Sequence, residues 1–90
     1  MAKQCIHGYI SGKVQGVWFR DSAQKQAEKQ NIKGWVRNLE DGRVEVMACG
    51  DSKDIKIFVE WLKGGPPLAI VEKFEPKEHS WEEHQTFRIL

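Results

Sequence analysis

The stretch Ile10-Ser11-Gly12-Lys13-Val14-Gln15-Gly16-Val17-Trp18-Phe19-Arg20 brings together residue types that can hold a phosphate group. Two glycines bracket a short loop ahead of a helical pattern. Gly16 permits positive φ and lets the backbone approach a ligand closely. Successive backbone N–H groups in such a turn form a concave nest that favours an anion. The N-terminus of the following helix adds unpaired N–H groups and a partial positive charge. Arg20 supplies a planar fork of donors that matches two phosphate oxygens at once. Taken alone, a glycine turn beside an arginine fits a purely structural loop equally well.

The elements around this loop follow from side-chain periodicity. Residues Cys5–Lys13 read as a strand, with Ile6, Gly8 and Ile10 on one face and Cys5, His7, Tyr9 and Ser11 on the other. Residues Asp21–Gln30 read as a helix. Phe19, Ala23 and Ala27 give it a narrow stripe of mostly small residues, and Asp21 with Gln24 resembles a capping box. Lys33–Asn38 is the second strand, Asp41-Gly42 signals a hairpin, and Arg43–Cys49 is the third strand. Ser52–Lys63 is a second helix with Ile55, Phe58, Val59 and Leu62 on one face, ended by Gly64-Gly65-Pro66-Pro67. Ala69–Phe74 is the fourth strand and Gln85–Leu90 a short last one. The order βαββαβ predicts an α+β, ferredoxin-like sandwich over residues 1–90 as a single domain. Its antiparallel sheet has strand order 4-1-3-2 plus the C-terminal strand. Both helices cover one face and solvent covers the other.

This topology places distant residues together. The first two strands, joined through a helix, run parallel with a right-handed crossover. The third strand inserts between them, so their C-terminal ends lie about 10 Å apart at one sheet edge. Asn38 ends the second strand at that edge, across a gap able to hold a phosphate and a water. Cys5 and Cys49 fall on neighbouring antiparallel strands and both point outward. A cross-strand disulfide between them is geometrically reasonable. It would close roughly 45 residues and stabilise the fold by up to about 4 kcal/mol. Two free thiols, the usual state in a reducing compartment, is the other reading.

At this point the sequence resembles a known family. Ile10-x-Gly12-x-Val14-Gln15-Gly16-Val17-x-Phe19-Arg20 is similar to the first signature of the acylphosphatases. Gly34-Trp35-Val36-Arg37-Asn38, then Gly42, Val44 and Gly50, matches their second signature at every defined position. Chain length, element order and Gly65-Pro66-Pro67-x-Ala69-x-Val71 also fit, so the resemblance covers essentially the whole chain. It implies that Gln15, Gly16, Val17, Trp18, Phe19 and Arg20 form a phosphate-binding loop, with Arg20 the essential phosphate ligand. It also implies that Asn38 orients the attacking water. The activity it implies is metal-independent hydrolysis of acyl phosphates, with a small acyl phosphate as substrate and a carboxylate and inorganic phosphate as products, and no cofactor. Asp21, next to Arg20, places a negative charge beside the anion site unless its side chain turns away to cap the helix.

Composition bounds the alternatives. Ninety residues suffice for one small core. Fourteen basic residues against thirteen acidic ones argue against a nucleic-acid surface, which normally lifts the pI above ~9. A ferredoxin-like RNA binder also needs aromatics on its central strands, where only Tyr9 points outward. The N-terminus lacks the pattern of a secretory signal, and no apolar run nears the ~18 residues of a membrane span. The expected location is the cytoplasm and the expected state a monomer. His7 reads as a solvated strand residue. His79 and His84 carry no ligand at metal spacing, so no metal site is expected. Lys13, Glu72, Lys73, Glu75, Lys77, Glu82 and Glu83 read as ordinary solvated charges. Trp35 and Trp61 are expected at the core or its rim. Trp18 either lines the site and touches the acyl group or covers the loop. The rival to a free-standing enzyme is a non-catalytic binding module of the same fold. Acylphosphatase-like domains do occur inside larger enzymes such as the hydrogenase-maturation carbamoyltransferases.

Overall fold

Strand and helix periodicities persist in a computed structural model, which describes residues 2–90. It places β1 at Lys3–Lys13, α1 at Phe19–Lys29, β2 at Lys33–Asn38, β3 at Val44–Asp51, α2 at Ser52–Gly64, β4 at Ile70–Phe74, β5 at Lys77–His79 and β6 at Phe87–Ile89. The sheet order is β4-β1-β3-β2-β6. β3 lies antiparallel to both β1 and β2, with Ile10 opposite Val44 and Asn38 opposite the same residue on the other side. The short strand β5, absent from the sequence-based reading, pairs with β1 at Cys5–His7, next to the β4 pairing at Ile10–Lys13.

The sheet is mixed, not wholly antiparallel, because β6 joins β2 in parallel. The cause is the path of the chain. β5 ends opposite Cys5, near the start of β1. The chain then crosses the sheet at that end and enters alongside the start of β2, with Phe87 opposite Gly34.

The inner face carries Ile6, Ile10, Val36, Val44, Val46 and Ala48, which pack against Phe19, Ala23 and Ala27 of α1 and Ile55, Phe58 and Leu62 of α2. Small side chains at Ala23 and Ala27 let α1 lie close to the sheet. Phe58 meets Phe87 edge-on at 5.7 Å, which ties β6 to α2. At Gly12 the β1–β4 register shifts and φ is 124°. A Cβ there would lie 2.1 Å from the Ile70 carbonyl oxygen, so only glycine fits this bulge.

The two helices start differently. Asp51 caps α2 by accepting from the Lys53 N–H at 3.1 Å. α1 has no side-chain cap, and its N-cap is Trp18. The expected Asp21 cap is corrected here: the helix begins at Phe19, so Asp21 sits within the first turn and pairs with Lys25 at 3.2 Å.

The outer face is also less open than expected. Cys5, Met47 and Cys49 form a second buried cluster with Trp35 packed on it. Cys5 and Cys49 are direct cross-strand partners with Cα atoms 4.1 Å apart and their sulfurs bonded. Beside them lies Glu45, a buried carboxylate at 6% exposure. His7 Nε2 and Arg37 Nε each lie 2.6 Å from one of its oxygens. His7 is therefore a half-buried partner of Glu45 and not a solvated strand residue, because two adjacent strands bring its ring over the carboxylate. Burial pushes the Glu45 pKa up, but the hydrogen bonds from His7 and Arg37 outweigh this and hold it below the ordinary 4.5.

Candidate active site

The loop between β1 and α1 is fixed from below by its apolar residues. The side chains of Val14, Val17 and Phe19 are buried in the core, and Phe19 packs against Trp61 at 6.0 Å. Val17 and Phe19 can therefore serve a ligand only through their backbone. Two left-handed residues shape the turn, Gly16 at φ 72° and Trp18 at φ 63°. Glycine adopts this conformation freely. For tryptophan it carries strain of about 1–3 kcal/mol. The first N–H groups of α1, beginning at Phe19, have no partner within the helix. With no side chain capping them, they add donors and positive potential at one point.

Gln15 ties this loop to the β2–β3 hairpin. Its Nε2 donates to the carbonyl oxygens of Leu39 at 2.8 Å and Arg43 at 3.0 Å. The hairpin is closed by the Leu39 N–H to the Arg43 oxygen at 2.8 Å and the Gly42 N–H to the Leu39 oxygen at 3.2 Å. Asn38, immediately before this turn, is thus held next to the loop by a bridge between the two.

A cleft of about 320 Å³ opens between them. Gly16, Trp18, Arg20 and Asp21 line it from the loop and helix, Asn38 from β2 and Ile89 from β6. Arg20 Nη1 donates to the Leu90 main-chain oxygen at 3.4 Å, a long contact. No Asp or Glu side chain pairs with Arg20 among the described residues. Its charge is available to an anion. Asn38 Oδ1 is buried and has no hydrogen-bond partner among the described residues. A cation, helix N–H donors and one carboxamide side chain together suit an oxyanion and a water side by side.

Of the sequence-predicted residues, Gly16, Trp18, Phe19, Arg20 and Asn38 line this cleft. Gln15 and Val17 do not, since the side chain of one is turned to the hairpin and that of the other to the core. Two lining residues, Val14 and Ile89, were not among the expected site residues. Ile89 was legible as a strand residue, but nothing local says which edge its strand joins. Asp21, expected beside the anion site unless it capped the helix, does line the cleft, because the helix starts earlier, at Phe19. The histidines near the C-terminus are also less isolated than their spacing suggested: Glu82 lies 3.0 Å from His84 Nε2 and 3.8 Å from His79 Nε2.

The comparisons with known proteins cover nearly the whole chain. The Acylphosphatase family pattern matches residues 6–89. A relative from Legionella pneumophila, named Acylphosphatase, is 50% identical over 86 residues, covering 96% of this chain and 94% of its own. An acylphosphatase structure from Coxiella burnetii superposes with a TM-score of 0.94 at 46% identity, covering 98% of this chain and 93% of the other. One from Bacillus subtilis gives 0.93 at 39% identity, covering 97% and 98%.

Proposed function

The chain belongs to the acylphosphatase family and is an enzyme of that type, acting on the carboxyl–phosphate bond of acyl phosphates; we propose that Arg20 and Asn38 carry the reaction between them. Arg20 and the backbone N–H groups of residues 15–20 hold the phosphoryl oxygens. The Asn38 carboxamide hydrogen-bonds a water and fixes its lone pair in line with phosphorus. The observation that carries this reading is that Arg20 and Asn38, from different elements, line one cleft at the uncapped N-terminus of α1.

The leaving group explains why so few residues suffice. An acyl phosphate expels a carboxylate whose conjugate acid has a pKa of about 4.3, so it needs no proton from a general acid. Phosphoryl transfer asks mainly for positioning and charge stabilisation. The water oxygen bonds to phosphorus, the carboxylate departs on the opposite side with the bonding electrons, and the water's proton passes to a phosphoryl oxygen. The products are a carboxylate and inorganic phosphate. No step in this scheme calls for a metal. We take residues 1–90 as one domain working as a monomer in the cytoplasm. No helix among the described residues is long and apolar enough to cross a membrane. The buried Cys5–Cys49 bridge acts as a staple, shielded from reductants by Met47 and Trp35.

Hydrolysis of benzoyl phosphate and of a nitrophenyl phosphate, each with excess chelator, tests the proposal. Fast cleavage of the first, little of the second and no chelator effect are expected. Arg20→Lys keeps the charge but loses the fork, and should lower kcat/KM by about 100- to 1,000-fold. A near-wild-type rate for that variant removes Arg20 from its role. Inactivity of the wild type on both compounds would leave a binding module.

A further inference from the structure

Trp18 is 74% exposed, more than any other large apolar side chain among the described residues. It also occupies the left-handed N-cap of α1 at φ 63°, ψ 22°. Neither feature serves folding: an exposed ring buries little area, and a left-handed residue with a Cβ is strained. Strain of this kind persists where function holds it, and Trp18 lines the cleft beside Arg20. From β6, Ile89 lines the same cleft and is itself 39% exposed.

A phosphoryl group needs cations and N–H donors, and gains nothing from an indole face or an isoleucine side chain. The half of an acyl phosphate that such surfaces suit is the acyl group. The cleft volume of about 320 Å³ falls at the lower end of small-molecule pockets, about 300–1,000 Å³, which leaves room beyond the phosphate. We propose that Trp18 and Ile89 form an acyl-group subsite that selects acyl phosphates with an aromatic acyl group over acetyl phosphate. This rests on the cleft being the active site. The backbone twist at Trp18 aims the ring, while the neighbouring Val17 and Phe19 side chains anchor the loop in the core.

The test is the ratio of kcat/KM for benzoyl phosphate to that for acetyl phosphate, which cancels general losses of activity. Trp18→Asn tolerates the left-handed backbone but removes the ring. It should lower the ratio by about 2- to 12-fold, the range of one aromatic contact. Trp18→Phe keeps a ring and should hold the ratio within about two-fold of wild type. Ile89→Ala should lower it in the same direction as Trp18→Asn. If Trp18→Asn and Ile89→Ala both leave the ratio unchanged, the subsite is refuted. An equal fall in Trp18→Phe and Trp18→Asn also refutes it, because loop shape and not the ring would then set selectivity. These outcomes are distinct from failure of the underlying function, in which the wild type cleaves neither acyl phosphate and the subsite falls with it.

Discussion

Replacing Gln15 by alanine removes two hydrogen bonds and leaves the candidate phosphate contacts in place. Both bonds run from Nε2 to backbone carbonyls, at 2.8 Å to Leu39 and 3.0 Å to Arg43. A net 0.5–1.5 kcal/mol each gives a loss of about 1–3 kcal/mol. Each carbonyl keeps another donor, the Gly42 N–H for Leu39 and the Leu39 N–H for Arg43. No orphaned acceptor is created, so the cost should fall in the lower part of that range, about 1–2 kcal/mol. For a domain of this size each kcal/mol moves Tm by about 4–8 °C, so Tm should drop by about 4–16 °C. The bridge also sets the spacing between the loop and Asn38. A displacement of about 1 Å can cost 100-fold in rate, so kcat/KM should fall by about 10- to 100-fold even well below Tm. Thermal melts and benzoyl phosphate hydrolysis on the same preparation read both quantities. Gln15→Met, similar in shape without the donors, separates packing from bonding and should behave as Gln15→Ala does. An unchanged Tm together with weakened inhibition by inorganic phosphate would refute the reasoning, because Gln15 would then be a ligand and not a tether.

Other perturbations probe the remaining charges and the bridge. Asp21→Asn removes a negative charge from the cleft lining and should tighten competitive inhibition by phosphate about two- to five-fold, with a smaller effect at high salt. The same change should slightly lower Tm, since it also removes the Lys25 pair and a favourable charge in the first turn of α1. Glu45 has a folded-state pKa below its ordinary 4.5. Its ionised form therefore adds stability that is fully present above the unfolded pKa and is lost as pH falls through the folded one. Urea unfolding of Glu45→Gln should show a loss near neutral pH and a flatter dependence on pH below about 4.5 than wild type. Reduction, or the paired change Cys5→Ser and Cys49→Ser, opens a loop spanning 44 positions. It should destabilise the fold by up to about 4 kcal/mol in chemical denaturation, with activity retained under native conditions.

The two parts of the cleft owe their proximity to the inserted strand β3. Because β3 lies between β1 and β2, the loop after β1 and the end of β2 are spaced by two strand separations, about 10 Å. Direct neighbours would be too close to leave a cleft. The hairpin then turns back within reach of Gln15, so one side chain can lock the spacing.

Much of this was legible in the amino-acid sequence because it depends on short periods. Ile6 and Ile10, Val44, Val46 and Ala48, and the Ile55–Phe58–Leu62 stripe assign their elements and their buried faces without reference to anything distant. The loop glycines and Arg20 stood out by turn chemistry and residue type, which are local properties, whereas the roles proposed for Arg20 and Asn38 came from the family resemblance. Tertiary structure alone decided what each polar group met. It turned Gln15 to the hairpin and placed Glu45 between His7 and Arg37. It began α1 at Phe19, leaving the helix N-terminus uncapped and Asp21 in the cleft. It also laid β6 parallel to β2, which brought Ile89 to Trp18 from the far end of the chain. The physical reason is common to all of these. A strand's face follows from its own alternation, but its partner edge, and the partner of a buried donor or acceptor, follow only from where the rest of the chain lies.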